Sequence, residues 1–241
     1  MIKLIIFLVG CFLVLIPRSI DAQSPLKFVI EDFESEQIGS LPSNWFNQKG
    51  ELQTTNFDQD LRMTYNYTIM EENNNKFLRF NGKRGKHMSF PLLNKKELDI
   101  YETPMLSWDW RILEIPEGGN EDKDDANDSA ASIYVVFDLG RVMFKKVPKS
   151  IRYTWSSSLP KGKELSKFFG NQKIIVMGSG YDGVGNWQHF QRNIVEDYKR
   201  LFGDNPPNTP IGILILSDGN NTDRNAKADY DNFMLKSISN N

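Results

Sequence analysis

Residues 173–187, KIIVMGSGYDGVGNW, decide how this chain is to be read. The run from Lys173 to Met177 has the length and apolar character of a buried strand. Gly178, Gly180 and Gly183 follow it in the G-x-G-x-x-G spacing of a dinucleotide loop. That loop works only where the third glycine opens a helix whose first N–H groups face a pyrophosphate. Here Gly183 is followed by Val184, Gly185 and Asn186, and then by WQHFQRN (187–193), which alternates as a strand does. The first helix signal is Asn193, ten residues further on. The glycines are therefore read as a loop joining two antiparallel strands, and dinucleotide binding is excluded.

The same two-residue rhythm runs outward in both directions. MLSWDWRIL (105–113) puts Leu106, Trp108, Trp110 and Ile112 on one face and Ser107, Asp109 and Arg111 on the other. ASIYVVFDLG (131–140) and SIRYTWS (150–156) alternate in the same way, and IGILILSD (211–218), apolar on both faces, reads as a central buried strand. ADYDNFMLKSI (228–238) reads as a last strand. With further runs at 27–33, 62–69, 76–81 and 86–92, roughly nine or ten strands are expected. NIVEDYKRLFG (193–203) is the exception. Ile194, Val195, Tyr198, Leu201 and Phe202 recur at helical spacing behind an Asn193 cap, and Gly203 and Pro206 end the pattern. GKELSKFFG (162–170) is expected to be a shorter helical turn ending at Gly170, and the acidic stretch 114–129 a solvated, mobile loop. The predicted fold is mainly β: an antiparallel β-sandwich of jelly-roll, galactose-binding-like type with one packed α-helix.

The start of the chain differs in kind. Lys3, an apolar run from Leu4 to Ile16, Pro17 and a polar stretch to Ala22 have the layout of a secretory signal. Residues 1–22 are accordingly expected to be a cleaved leader, and 23–241 a single β-sandwich domain, exported to the periplasm or the cell exterior. Nothing after residue 22 approaches the ~20 apolar residues of a membrane span. A formal net charge of −2 lacks the basic excess that would point to nucleic acid, and leaves room for a local basic patch. Cys11 is the single cysteine, so after leader removal thiol catalysis and cysteine-ligated zinc are excluded. Only His87 and His189 are available as imidazoles and no G-x-S-x-G occurs, which argues against a serine hydrolase or a histidine zinc site.

LSWDWRI (106–112), SAASIYVVFD (129–138), SIRYTWS (150–156), NWQHFQRNIVEDYKRLFG (186–203), IGILILSDGNNT (211–222) and ADYDNFML (228–235) together resemble the bacterial domain-of-unknown-function family 3047. The chain departs from that pattern at Ser132, where the family has arginine. It departs again at Asp218–Thr222, where the family has D-x-D-N-T, so an acidic or metal role there is weakened. The ends of the mature sequence, FVIEDFESEQIGSLPSNW (28–45) and DYDNFML (229–235), more loosely resemble those of secreted carbohydrate-binding jelly rolls. What this second resemblance implies is binding without catalysis.

The polar faces of the strands hold the candidate ligand groups. If Phe190 points inward, Trp187 and His189 point outward, and with Asp109, Arg111 and Arg152 they could line a groove for a saccharide or cell-envelope polymer. An aromatic face with planar hydrogen-bonding groups suits a sugar. The same residues also read as core (Trp187) and as ladder-supporting charge pairs (Asp109, Arg152). Two rivals remain: a hydrolase or lyase built on Asp109 with Asp138 or Asp218, and an envelope structural or interaction protein. Glu31, Glu34 and Asp231 belong to the first and last strands, which are often neighbours in a jelly roll. They could supply a structural calcium site, or be solvated strand ends. His87, in GKRGKH (82–87), reads as a solvated hairpin tip.

Overall fold

A computed structural model of the chain describes residues 26–47, 65–142 and 145–238. The expected leader, residues 1–22, lies outside them. In chain order the strands are β1 (Lys27–Glu31), β2 (Tyr67–Glu72), β3 (Asn75–Gly82), β4 (Met88–Pro91), β5 (Met105–Glu114), β6 (Ser129–Val142), β7 (Lys145–Ser156), β8 (Glu164–Lys167), β9 (Gln172–Ser179), β10 (Trp187–Asn193), β11 (Gly212–Asp218) and β12 (Ala226–Lys236), with helix α1 (Ile194–Phe202) between β10 and β11. They form two sheets of six. The first runs β10-β5-β12-β3-β2, with β1 also paired to β12; the second runs β4-β11-β6-β7-β9-β8. This is the expected mainly-β sandwich of jelly-roll type. The first and last strands are neighbours, Lys27 opposite Lys236.

The alternating residues do what their rhythm requires. Leu106, Trp108, Trp110 and Ile112 of β5, Ile133, Val135 and Phe137 of β6, and Ile151, Tyr153 and Trp155 of β7 are buried between the sheets. An aromatic stack ties one sheet to the other. Trp108 stacks on Phe190 of β10 at 5.8 Å between centroids and meets Tyr153 of β7 at 5.3 Å, while Trp155 stands edge-on to Phe190. Contacts of this geometry add ~0.5–1.5 kcal/mol each beyond the apolar area they bury. Helix α1 is capped as expected: the Asn193 side chain accepts from the Glu196 N–H at 3.0 Å, and Gly203 closes the end at φ 71°. Its buried Tyr198 packs on Phe137 of β6. Among the described residues no helix is long and apolar enough to cross a membrane.

Three local expectations are corrected. The glycine loop does not join strands of one hairpin, because β9 belongs to the second sheet and β10 to the first. Gly180, Gly183 and Gly185, all at positive φ, turn the chain across the edge of the sandwich. Gly178 serves packing instead: a Cβ there would overlap the six-membered ring of buried Trp155. Residues 164–170 are not a helix. They form edge strand β8 and a single 3-10 turn, in which Phe168, Phe169 and Gly170 all have positive φ. The chain then returns as β9 between β8 and β7, so β7 and β9 run parallel.

The acidic loop, expected to be mobile, is anchored at two buried carboxylates. Glu121 accepts from the hydroxyls of Thr154 and Ser156 on β7. Asp128 accepts from the N–H groups of Asn221 and Thr222 and from the Thr222 hydroxyl. A hydroxyl row on the outer face of β7 gives Glu121 its donors, the turn after β11 gives Asp128 its own, and both acids are buried. We expect Gly178→Ala to destabilise the fold by about 1–3 kcal/mol, the cost of forcing a methyl group into a packed aromatic wall. Urea unfolding followed by tryptophan fluorescence measures it.

Candidate functional site

The outer face of the first sheet is built from the residues of each strand that do not enter the core. Strand register lays them in two rows. In one, Arg79 of β3, Asp229 of β12, Arg111 of β5 and Trp187 of β10 are successive cross-strand neighbours. In the next, Asp231, Asp109 and His189 are neighbours across β12, β5 and β10.

The first row is an ion-pair ladder. Asp229, closed off from solvent, takes Arg79 Nε at 2.6 Å and Arg111 Nε at 2.7 Å. Glu72 of β2 takes Arg111 Nη1 at 2.6 Å, and that bond, with Arg79 close by, holds its carboxyl below the ordinary carboxylate range. The Arg111 guanidinium, fixed on this side, lies 4.9 Å from the Trp187 ring centroid on the other. Phe77 of β3 closes the arrangement, edge-on to Trp187 at 5.4 Å and beneath both guanidiniums. Trp187 is thus gripped along its base and still 38% exposed.

The second row is acidic. Between Asp231 and Met234 the pairing of β12 with β5 slips by a bulge, and Asn232 adopts φ 55°. Side chains seldom take that conformation, but asparagine tolerates it best. Its main-chain N–H donates to Asp231 at 2.7 Å and its side-chain amide to Asp109 at 2.8 Å. Asn75 donates to the other Asp231 oxygen at 2.9 Å, and His189 Nδ1 lies 2.7 Å from Asp109. Burial, then the Asp109 and Glu34 charges, push the Asp231 carboxyl up to about 7. Asn73, Asn75, Phe77, Asp109, Asp231 and Asn232, with Arg111 and Trp187, wall a shallow cavity of about 340 Å³.

Of the residues singled out from the sequence, Asp109, Arg111, Trp187 and His189 therefore meet on one face. Arg152 does not join them. It lies on β7 in the second sheet, 2% exposed, donating to the Ser129 and Ser132 hydroxyls and the Asn127 amide oxygen. The proposed calcium ligands are not assembled either. Glu31 is buried, accepting from the Phe33 N–H and the Trp45 indole; Glu34 accepts from the Lys76 N–H; Asp231 is committed to amides. Among the described residues no three metal-ligating side chains gather. Topology also separates the carboxylates named for hydrolysis, since Asp109 is on the first sheet and Asp138 and Asp218 are on the second. The acid opposite Asp109 is Asp231. His87 is no hairpin tip: it lies in the crossing from β3 to β4, edge-on to Tyr134 at 5.2 Å, and burial, with Arg152 nearby, lowers its pKa to about 4.

Glu72, Asn75, Phe77, Arg79, Asp229 and Asn232 complete the face and were not anticipated as ligand groups. The signal for one of them was present: in ADYDNF, Asp229 shares with Asp231 the polar phase of a strand whose Tyr230 is core.

The profile of the family described as protein of unknown function, DUF3047, matches residues 43–234, and the chain belongs to that family. No curated protein matches it. Among solved structures it is similar to the family 30 carbohydrate-binding module of the cellulosomal cellulase Cel9D-Cel44B of Clostridium thermocellum, with TM-score 0.44, 13% identity and 89% of this chain and 99% of that one covered. It is also similar to the Clostridium thermocellum family 11 carbohydrate-binding module in complex with a β-1,3-1,4-mixed-linked tetrasaccharide (TM-score 0.37, 11% identity, 87% and 94% covered). A third is the Trichoderma harzianum family GH12 endoglucanase 3 (TM-score 0.38, 9% identity, 90% and 99% covered). At these scores the likeness is a loose one, and no residue here takes a role from it.

Two titrations of opposite sign arise from these environments. His87 binds its proton less well folded than unfolded, so stability falls as pH drops from about 6.5 to about 4, by up to ~3 kcal/mol. Asp231 holds its proton more tightly folded than unfolded, so its contribution falls as pH rises from about 4 to about 7. The two partly cancel in the wild type, and variants separate them. His87→Gln should flatten the acid limb. Asp231→Asn should be more stable than wild type by about 1–3 kcal/mol at pH 8, with the gain absent at pH 4. Thermal unfolding between those pH values checks both.

Proposed function

We propose that this member of the DUF3047 family is an exported, non-catalytic binding module that seats a saccharide or cell-envelope polymer on the outer face of its first sheet. The observation that carries this reading is the state of Trp187. A large indole stands partly in solvent at the edge of a cavity, while Phe77 and Arg111 hold it in place from beneath. An aromatic plane immobilised before the ligand arrives costs little entropy on binding, and a sugar's C–H face stacks on it. Asp109, His189, Asn75 and Asn232 then offer planar donors and acceptors to ring hydroxyls, and Arg111 steadies the platform. Export by residues 1–22, to the periplasm or the cell exterior, supports an extracytoplasmic ligand and belongs to the same proposal.

A carboxylate-pair hydrolase is the second reading, and the Asp109–Asp231 pair is what favours it. Glycoside hydrolysis needs two carboxyls flanking the scissile bond. Asp109 and Asp231 are instead direct neighbours on one sheet floor and share Asn232 as a donor. Both would meet a ligand from the same side.

A panel of soluble glycans and cell-wall polysaccharides, with product release assayed in the same wells, tests the proposal. Saturable binding without shortened products is expected, and Trp187→Ala should weaken it by about 1–3 kcal/mol while the chain still folds. New reducing ends that vanish in Asp231→Asn would replace the module with the enzyme.

A further inference from the structure

The acidic row has more capacity to accept hydrogen bonds than the protein fills. Asp109 and Asp231 have about eight lone-pair sites between them. The protein's donors to them are His189, Asn75, and the side chain and main chain of Asn232. None is a permanent cation. Among the described residues no lysine or arginine forms an ion pair with either acid, and the nearest guanidiniums, Arg79 and Arg111, are committed to Asp229 and Glu72.

Like charges directly opposite across a ladder repel one another. Burial, then the Asp109 and Glu34 charges, raise the Asp231 carboxyl to about 7, so it gives up its proton reluctantly beside Asp109. Such a pair favours any cation that can replace the proton. The opening toward it is the cavity that the Trp187 indole, Asp109 and Asp231 all line.

We infer that the ligand of this face is an amine-bearing saccharide, a polymer of unacetylated 2-amino-2-deoxyhexose, whose ammonium group is taken between Asp109 and Asp231. An ammonium has three donors and no acceptor, which matches two carboxylates already supplied with amide donors. An N-acetyl group would bring bulk and no charge to the same place. A uronate would bring a third negative charge beside the pair. This inference rests on the saccharide reading of the face and narrows it to one chemical class.

Three hexasaccharides with the same β-1,4 backbone isolate the group in question: the glucosamine hexamer, the N-acetylglucosamine hexamer and cellohexaose, titrated calorimetrically at a pH where the amine is charged. The glucosamine hexamer should bind about tenfold or more tightly than cellohexaose, the scale of one hydrogen-bonded charge contact. Asp109→Asn and Asp231→Asn, near-isosteric changes checked by thermal unfolding, should reduce that ratio toward one. Trp187→Ala should weaken all three ligands together. Equal binding of the amino and hydroxyl hexamers, lost in Trp187→Ala, would overturn the amine assignment and leave the saccharide face standing. An amine preference that survives both aspartate changes would overturn the assignment to this pair. If no hexamer binds, the inference and the reading beneath it fall together.

Discussion

One carboxylate organises the outer face of the first sheet. Asp229 is shut away from water, and a buried anion without a partner costs several kcal/mol. Its position in β12 puts an arginine beside it on each flanking strand, Arg79 on β3 and Arg111 on β5. The two cations would repel one another without it, and Glu72 shares the excess positive charge at the rim. The effect on the face is geometric. An arginine bonded through Nε to Asp229 and through Nη1 to Glu72 has its plane fixed, and Trp187 rests against that plane. The indole is therefore held at a set angle before any ligand arrives. Removing Asp229 would unseat the tryptophan without touching it.

The strand rhythm was legible because a sheet with one face in the core forces alternation on the sequence. The large apolar residues of β5, β6 and β7 on that phase all join the core, although the polar phase of β6 and β7 is buried as well. The same rule placed Trp187 and His189 outward from the inward position of Phe190. Neighbourhood was not legible. Asp229 and Arg79 are 150 residues apart, and nothing local in either segment announces that they share a bond. Strand order decided the fate of the predicted site: β5 and β10 are partners, so Asp109, Arg111, Trp187 and His189 converged, while Arg152 went with β7 to the other sheet. The acidic loop misled for a related reason. Charge density argues for solvent, but Glu121 and Asp128 found hydroxyl and amide donors on elements distant in sequence.

The two outer faces manage polarity differently. On the first sheet, full charges pair in a ladder and leave a cavity with an exposed ring. On the second, Arg152 is enclosed with Ser129, Ser132 and Asn127, and neutral oxygens take all its hydrogen bonds. Ser132 sits at the centre of that cluster and also bonds Thr154. The Arg152 cation is thus satisfied on the side away from the proposed ligand.

Strand β12 lies at the heart of its sheet. It pairs with β5 along one side, and with β3 and then β1 along the other. These partners come from the first half of the chain, yet none can complete its sheet until residues 226–236 are available. Assembly is therefore governed by a late arrival. While the chain is being made, the second sheet can gather its strands, but the first remains two separate pairs, β2 with β3 and β5 with β10, until β12 joins them. Long-range closure of this kind is slow to nucleate. A nascent chain of this design cannot close its first sheet until residues 226–236 have emerged, and loss of that strand would remove the proposed binding face at a stroke.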